Sequence, residues 1–300
     1  MNVLALPPDF EARVLRNEPM SKHTSWHVGG PADLFFTPFD LADLAAFLQS
    51  LEPTTPILWI GLGSNLLVRD GGLRGAVIDT HGVFAELERL DDNHVWCGSG
   101  VACAKLAKQC IKWGLGPAEF FAGIPGTLGG ALAMNAGAFG GETWSHVASV
   151  ATLDRFGVRR ERPASDYTTG YRHVIGPSNE WFLGARLRFE QRPGVSTDDI
   201  RLLLARRKAT QPIGEWSCGS VFTNPPGDHA ARLIDSAGLK GFRIGGARVS
   251  EMHANFIVND GAATAADIEQ LIAHVKDTVE RTHGVKLTPE VRMVGEAKHD

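Results

Sequence analysis

The chain has no surplus of positive charge: 30 Lys and Arg against 34 Asp and Glu leave a formal charge of −4. That excludes a general nucleic-acid binder, which holds phosphates with a basic excess. It leaves room for a local basic pocket that takes a small anion. Cysteine is scarce. Cys97, Cys103, Cys110 and Cys218 contain no CxxC pair, so a zinc ribbon or a thioredoxin-type redox motif has no support. Four thiols in 300 residues read as buried groups of a reducing compartment. The eleven His form neither HExxH nor paired ligand spacing, and no metal is expected. No basic segment precedes an apolar run in MNVLALPPDFEARVL, so no signal peptide is expected and the location is cytoplasmic. Phe120 to Gly141 lacks charge for 22 positions, but it holds Pro125, Asn135 and seven Gly. Those residues weaken a membrane-spanning helix, and the stretch reads as buried, tightly turning backbone in a soluble protein.

Glycine is abundant, with 34 in 300 residues against roughly 7% in average usage. Around it the chain alternates strand-like and helical runs. Asp40 caps a helix with Leu41, Leu44, Ala45, Phe47 and Leu48 on one face. Residues 56–60, 66–68 and 76–78 are short apolar strands, and 101–113 is a helix stopped by Gly114. Residues 147–154 and 181–190 read as strands. Pro193-Gly194 marks a domain boundary, and Ser196 with Asp199 opens a helix as a capping box. A helix over 228–237, a strand over 255–259, a long helix capped by Thr264 and a strand over 286–294 complete the chain. The pattern predicts an α+β or mixed α/β fold.

Three segments carry chemistry. In GLGSNLLV (61–68), glycines let backbone N–H groups converge on an anion, and Ser64 and Asn65 add side-chain hydrogen bonds. A plain hairpin turn would have the same composition. AGIPGTLGGALAMNAGAFGGE (122–142) places small residues between apolar ones, which suits backbone lying flat against a large planar ligand such as a flavin. A tightly packed loop without ligand is the other reading. In GSVFTNP (219–225), Ser220 is a nucleophile, a proton donor or a cap, and no G-x-S-x-G elbow surrounds it. Asn224 before Pro225 is held extended, a way to aim an amide at a ligand or simply a strand end. Arg172 in GYRH, Glu290 in LTPEVR, His253 and Lys240 are unremarkable singly.

Together these segments resemble the UDP-N-acetylenolpyruvoylglucosamine reductases of bacterial peptidoglycan synthesis. The resemblance spans residues 17–296 and rests on HTSWHVGGPAD (23–33), GLGSNLLV, AGIPGTLGGALAMNAGA, GYR, GSVFTNP, AGLKGFRIGGARVSEMHANFIVN (237–259) and LTPEVR. It implies a two-lobed FAD-binding domain of the vanillyl-alcohol-oxidase type (the PCMH-type fold), followed by a separate α/β substrate-binding domain. The parts are 1–80, 81–193 and 194–300, and the length is that of the shorter subtype without an inserted tyrosine loop. It also implies NADPH-dependent reduction of an enolpyruvyl UDP-sugar through FAD. No nucleic acid, membrane insertion or obligate protein partner enters that picture. Another FAD-dependent oxidase or dehydrogenase of the same fold, and a flavin-free protein that kept the sugar-nucleotide pocket, are the competing readings.

The resemblance assigns roles residue by residue. Ser220 is the proton donor, and Arg172 offsets developing negative charge. Glu290 is expected to carry or share a proton, because a bare carboxylate would repel a dianion. Gly61, Gly63, Ser64, Asn65 and Leu66 would hold the FAD diphosphate. Gly123, Ile124, Pro125, Gly126, Thr127, Gly130, Asn135 and Gly137 would line the flavin ring. Tyr171, Arg207, Asn224, Lys240 and His253 would bind substrate. Three positions depart from the family pattern. His173-Val174 follows the YR pair where Asp-Ser is common. Thr223 replaces a lysine, with Arg206, Arg207 and Lys240 as candidates to compensate. Cys218 precedes the glycine of GSVF, where small residues are common.

Overall fold

The computed structural model describes residues 6–298. They fall into two compact units, each assembled from separated stretches of chain. One holds the N-terminal residues to Leu15, Phe35–Gly61 and Gly75–Arg206; the other holds Arg16–Leu34, Leu62–Arg74 and Arg207–Asp300.

In the first unit, a five-stranded antiparallel sheet runs in the order Arg159–Pro163, Val147–Asp154, Glu180–Arg188, His94–Gly98, Leu87–Arg89. Its core joins Val95, Val150 and Leu187 to Leu106, Phe121 and Leu132. The helix Cys103–Lys112 buries Cys103, Leu106, Ala107, Cys110 and Ile111 along one face, the spacing of an amphipathic helix. The helix Leu41–Ser50 starts where expected, with the Asp40 side chain accepting from the Asp43 N–H. Strand Ile57–Ile60 runs parallel to Leu73–Asp79, with Ile57 opposite Ala76.

The glycine-rich segment differs from its reading as turning backbone: Leu128–Met134 forms a helix. Gly129 and Gly130 weaken a helix interior, but a Cβ on Gly129 would come within 3.1 Å of the Ser99 Cβ. Close packing therefore favours glycine there. Asn135, with φ of +46°, ends the helix in the left-handed region.

Pro193-Gly194 precedes the helix Thr197–Thr210, whose start matches the expected box: the Ser196 N–H donates to the Asp199 carboxylate at 2.9 Å. Ile200 on this helix packs into the core of the first unit. Residues to Arg206 belong to the first compact unit and those from Arg207 to the second.

In the second unit, the helix Ala265–His283 buries Ile268, Leu271, Ile272, Val275 and Val279, begins at a Thr264–Asp267 capping box and closes on Gly284. The Asp70 carboxylate adds a second cap by accepting from the N–H groups of Ala265 and Ala266. Below the helix lies an antiparallel sheet of Arg243–Ile244, Ala247–Val249 and Ile257–Asn259. Trp26 is fully buried in this core; its indole donates to the Ile257 carbonyl at 2.8 Å, and the Asn259 amide donates to its carbonyl at 2.7 Å. The last strand is shorter than the expected 286–294, covering Arg292–Val294 parallel to Leu66–Val68. Pro289 lacks the N–H a ladder needs, and it pairs with Phe222 by an isolated bridge.

Candidate active site

Arg172 sits at the tip of a hairpin between Thr168–Gly170 and His173–Ile175. Its φ is +55°, a region that costs a non-glycine residue roughly 1–2 kcal/mol. Such strain at an exposed turn points to a side chain with a task. The guanidinium donates to the Gly137 carbonyl at 2.9 Å and to the Asn135 carbonyl at 3.3 Å. It is thus anchored on the glycine-rich segment, beside the half-exposed Tyr171 ring.

Asn135, expected to line the flavin ring, is tied into the protein by its side chain. Its amide donates to Glu142 and to the Gly170 carbonyl, and its oxygen accepts from the Trp144 N–H. With the residue 2% exposed, this amide holds the Arg172 hairpin against the segment.

Gly61 belongs to the same unit. A Cβ there would lie 2.5 Å from the Thr127 hydroxyl, so the end of strand Ile57–Ile60 and the start of helix Leu128–Met134 approach closely. Around Gly130, by contrast, nothing lies within 4 Å of where a Cβ would be. Beside this turn the Ser99 hydroxyl is buried with no hydrogen-bond partner among the described residues. Open backbone next to an unpartnered buried polar atom suits a ligand held through main-chain and small polar groups. These residues fit a flavin cofactor.

In the second unit the other expected residues converge through backbone pairing. The Glu290 N–H donates to the Val221 carbonyl at 2.8 Å, and the Thr223 N–H to the Thr288 carbonyl at 3.0 Å. GSVFTN and LTPE therefore run side by side, with Ser220 next in chain to the residue bonded to Glu290. Asn65 fastens the same strip: its amide donates to the Glu290 carbonyl at 3.0 Å, and its own carbonyl accepts from the Arg292 N–H. Asn255 clamps Phe222 from the other side with two hydrogen bonds of 2.8 and 2.9 Å. Gly63 has a φ of +59°, and a Cβ there would sit 2.0 Å from the His23 carbonyl oxygen. Packing against this chain alone thus demands glycine at that position.

Residues 32–160 match the FAD binding domain family, and residues 211–294 match the C-terminal domain of UDP-N-acetylenolpyruvoylglucosamine reductase. A protein of Alkalilimnicola ehrlichii bearing that enzyme name is 60% identical over 284 residues, covering 94% of each chain. One of Methylococcus capsulatus is 55% identical over 285 residues. A crystal structure of the enzyme from Thermus caldophilus superposes with a TM-score of 0.80 at 33% identity, over 94% of this chain and 98% of that one. The chain belongs to the UDP-N-acetylenolpyruvoylglucosamine reductases. The α+β fold with an FAD-binding domain of the vanillyl-alcohol-oxidase type agrees with this membership.

Against the reductase pattern, the residues expected to bind substrate have definite partners. The Asn224 oxygen accepts from the Ala230 N–H at the start of helix Ala230–Ser236, so half of its amide serves as a cap. Lys240 pairs with Asp235 at 2.7 Å. The Arg207 Nε donates to Gln211 at 2.7 Å, and burial pushes its pKa down. His253 is also pushed down by burial, with the Lys240 charge adding to the effect; it is a largely neutral imidazole near pH 7. Among the departures, Thr223 turns its hydroxyl to the Thr288 carbonyl. Cys218 is buried, donates weakly to the Leu66 carbonyl and has its pKa raised by burial, which makes it a packing thiol. Among the described residues no group of His, Cys, Asp and Glu could hold a metal, and no helix is long and apolar enough to cross a membrane.

Proposed function

We propose that this reductase catalyses the FAD-dependent reduction of the enolpyruvyl group of a UDP-N-acetylglucosamine ether to the lactyl group, with NADPH as the reductant. The pairing of Glu290 with Val221, the residue after Ser220, supports the reading, together with membership of the family. Bound FAD would supply hydride transfer, from NADPH to the methylene carbon of the substrate.

The protein's own residues deal with the charge and the proton. Hydride addition pushes negative charge toward the substrate carboxylate, and a positioned cation or hydrogen-bond donor stabilises it. Arg172, held at its hairpin tip, takes that part. Ser220 gives its hydroxyl proton to the carbon next to the carboxylate. Glu290 holds or shares a proton on the substrate side. Gly61, Gly63, Ser64, Asn65 and Leu66 would hold the diphosphate of the cofactor, while Gly123 to Gly137 would line its ring. Tyr171, Arg207, Asn224, Lys240 and His253 receive the UDP-sugar. The functional division of the chain is 1–80, 81–193 and 194–300, and the enzyme works in the cytoplasm.

The purified protein should be yellow, with an absorption band at about 450 nm, as an oxidised flavin requires. Anaerobic NADPH should bleach it, and the enolpyruvyl sugar nucleotide should restore the colour. A colourless protein that binds no FAD rejects the reading. Reoxidation by oxygen with an alcohol substrate, and none by the enolpyruvyl compound, supports another oxidase of the fold.

A further inference from the structure

Strand His94–Gly98 delivers the chain to Ser99, which is 1% exposed. Both backbone groups of Ser99 are satisfied: its N–H donates to the Leu183 carbonyl at 2.8 Å, and its carbonyl accepts from the Gly129 N–H at 2.9 Å. The hydroxyl is not; it has no partner among the described residues. A buried hydroxyl left in that state costs about 1–3 kcal/mol. The side chain faces the first turn of helix Leu128–Met134, since its Cβ lies 3.1 Å from where a Cβ on Gly129 would be. The next residue, Gly130, opens onto free space. Alanine would fill the same volume without the stranded oxygen, so packing alone gives no reason for serine here.

We infer that Ser99 is a cofactor-binding residue: its hydroxyl forms a hydrogen bond to FAD beside the first turn of helix Leu128–Met134. The inference rests on the flavoprotein reading above. A hydroxyl both donates and accepts, so it can serve a phosphate oxygen, a ribityl hydroxyl or a ring-edge group. It differs from Asn135, whose amide is occupied by the protein itself.

The test uses the full chain stripped of FAD and titrated with FAD, following the quenching of flavin fluorescence. Ser99→Ala should weaken FAD binding about three- to tenfold, the worth of one ordinary hydrogen bond. The melting temperature of the stripped Ser99→Ala protein should equal or exceed that of the stripped parent, because the variant removes an unsatisfied group. Ser99→Cys, of similar size and a weak donor, should also weaken binding, and it decides the matter if the alanine variant does not fold. Unchanged FAD affinity in the variant, or an equal loss of stability with and without FAD, overturns the role of Ser99. Failure of the parent chain itself to bind FAD overturns the flavoprotein reading instead.

Discussion

The backbone N–H of Glu290 donates to the carbonyl of Val221 at 2.8 Å. That single bond sets the residue after Ser220 against the glutamate of LTPEVR. Asn65, from the glycine-rich turn, holds the carbonyl of the same glutamate. Three motifs far apart in sequence are thereby laced into one strip.

Ser220→Ala should separate the two half-reactions. Reduction of the flavin by NADPH should proceed at the parental rate. Reoxidation by the enolpyruvyl substrate should slow about 10²- to 10⁴-fold, the usual worth of a positioned proton donor. Stopped-flow absorbance reads both steps, and normal reoxidation removes Ser220 from the proton path.

Glu290→Gln keeps the backbone bonds to Val221 and Asn65 and changes only the protonatable group. Flavin content and melting temperature should match the parent, while reoxidation by substrate falls steeply. An equal loss of flavin binding and reoxidation would mean that Glu290 is structural.

Arg172→Gly relieves the left-handed backbone at the hairpin tip, a gain of roughly 1 kcal/mol. It also removes the bonds to the Asn135 and Gly137 carbonyls. Stability should therefore change little, as read by denaturant unfolding, whereas substrate-dependent reoxidation should collapse. A large loss of stability with reoxidation preserved would assign Arg172 to the scaffold alone.

The thiols predict an alkaline limb. Burial raises Cys103 and Cys110 from 9.0 to about 12. Below pH 9.0 both folded and unfolded chains keep these protons. Between 9.0 and about 12 the unfolded chain loses them while the folded chain retains them, so stability falls as pH rises. Cys103→Ala with Cys110→Ala should flatten the fall in thermal melts across that range. A thiol reagent should label neither residue in the native protein at pH 8, and both in denaturant; native labelling would show that their burial is incomplete.

Much of the local structure was legible beforehand. Asp40, Ser196 and Thr264 cap the helices they were expected to cap, because a cap involves only residues three positions apart. The glycine-rich helix was not, since glycine counts against helix in any local reading, and the close approach of Gly129 to Ser99 that favours glycine there is a tertiary contact.

The motifs and their order, by themselves, determined the family and with it the chemistry to look for. The tertiary structure alone decided which groups are available for that chemistry. The hydrogen bonds of the Asn135 amide to Glu142, Gly170 and Trp144 are not legible in its sequence neighbourhood. Nor is the approach of the His23 carbonyl, which demands glycine at position 63. The same holds for the Ser99 hydroxyl, which is buried with no hydrogen-bond partner among the described residues. The physical reason is common to all three. A propensity is a property of neighbours in the chain, whereas the satisfaction of a polar group depends on atoms that only folding brings within 3 Å or so.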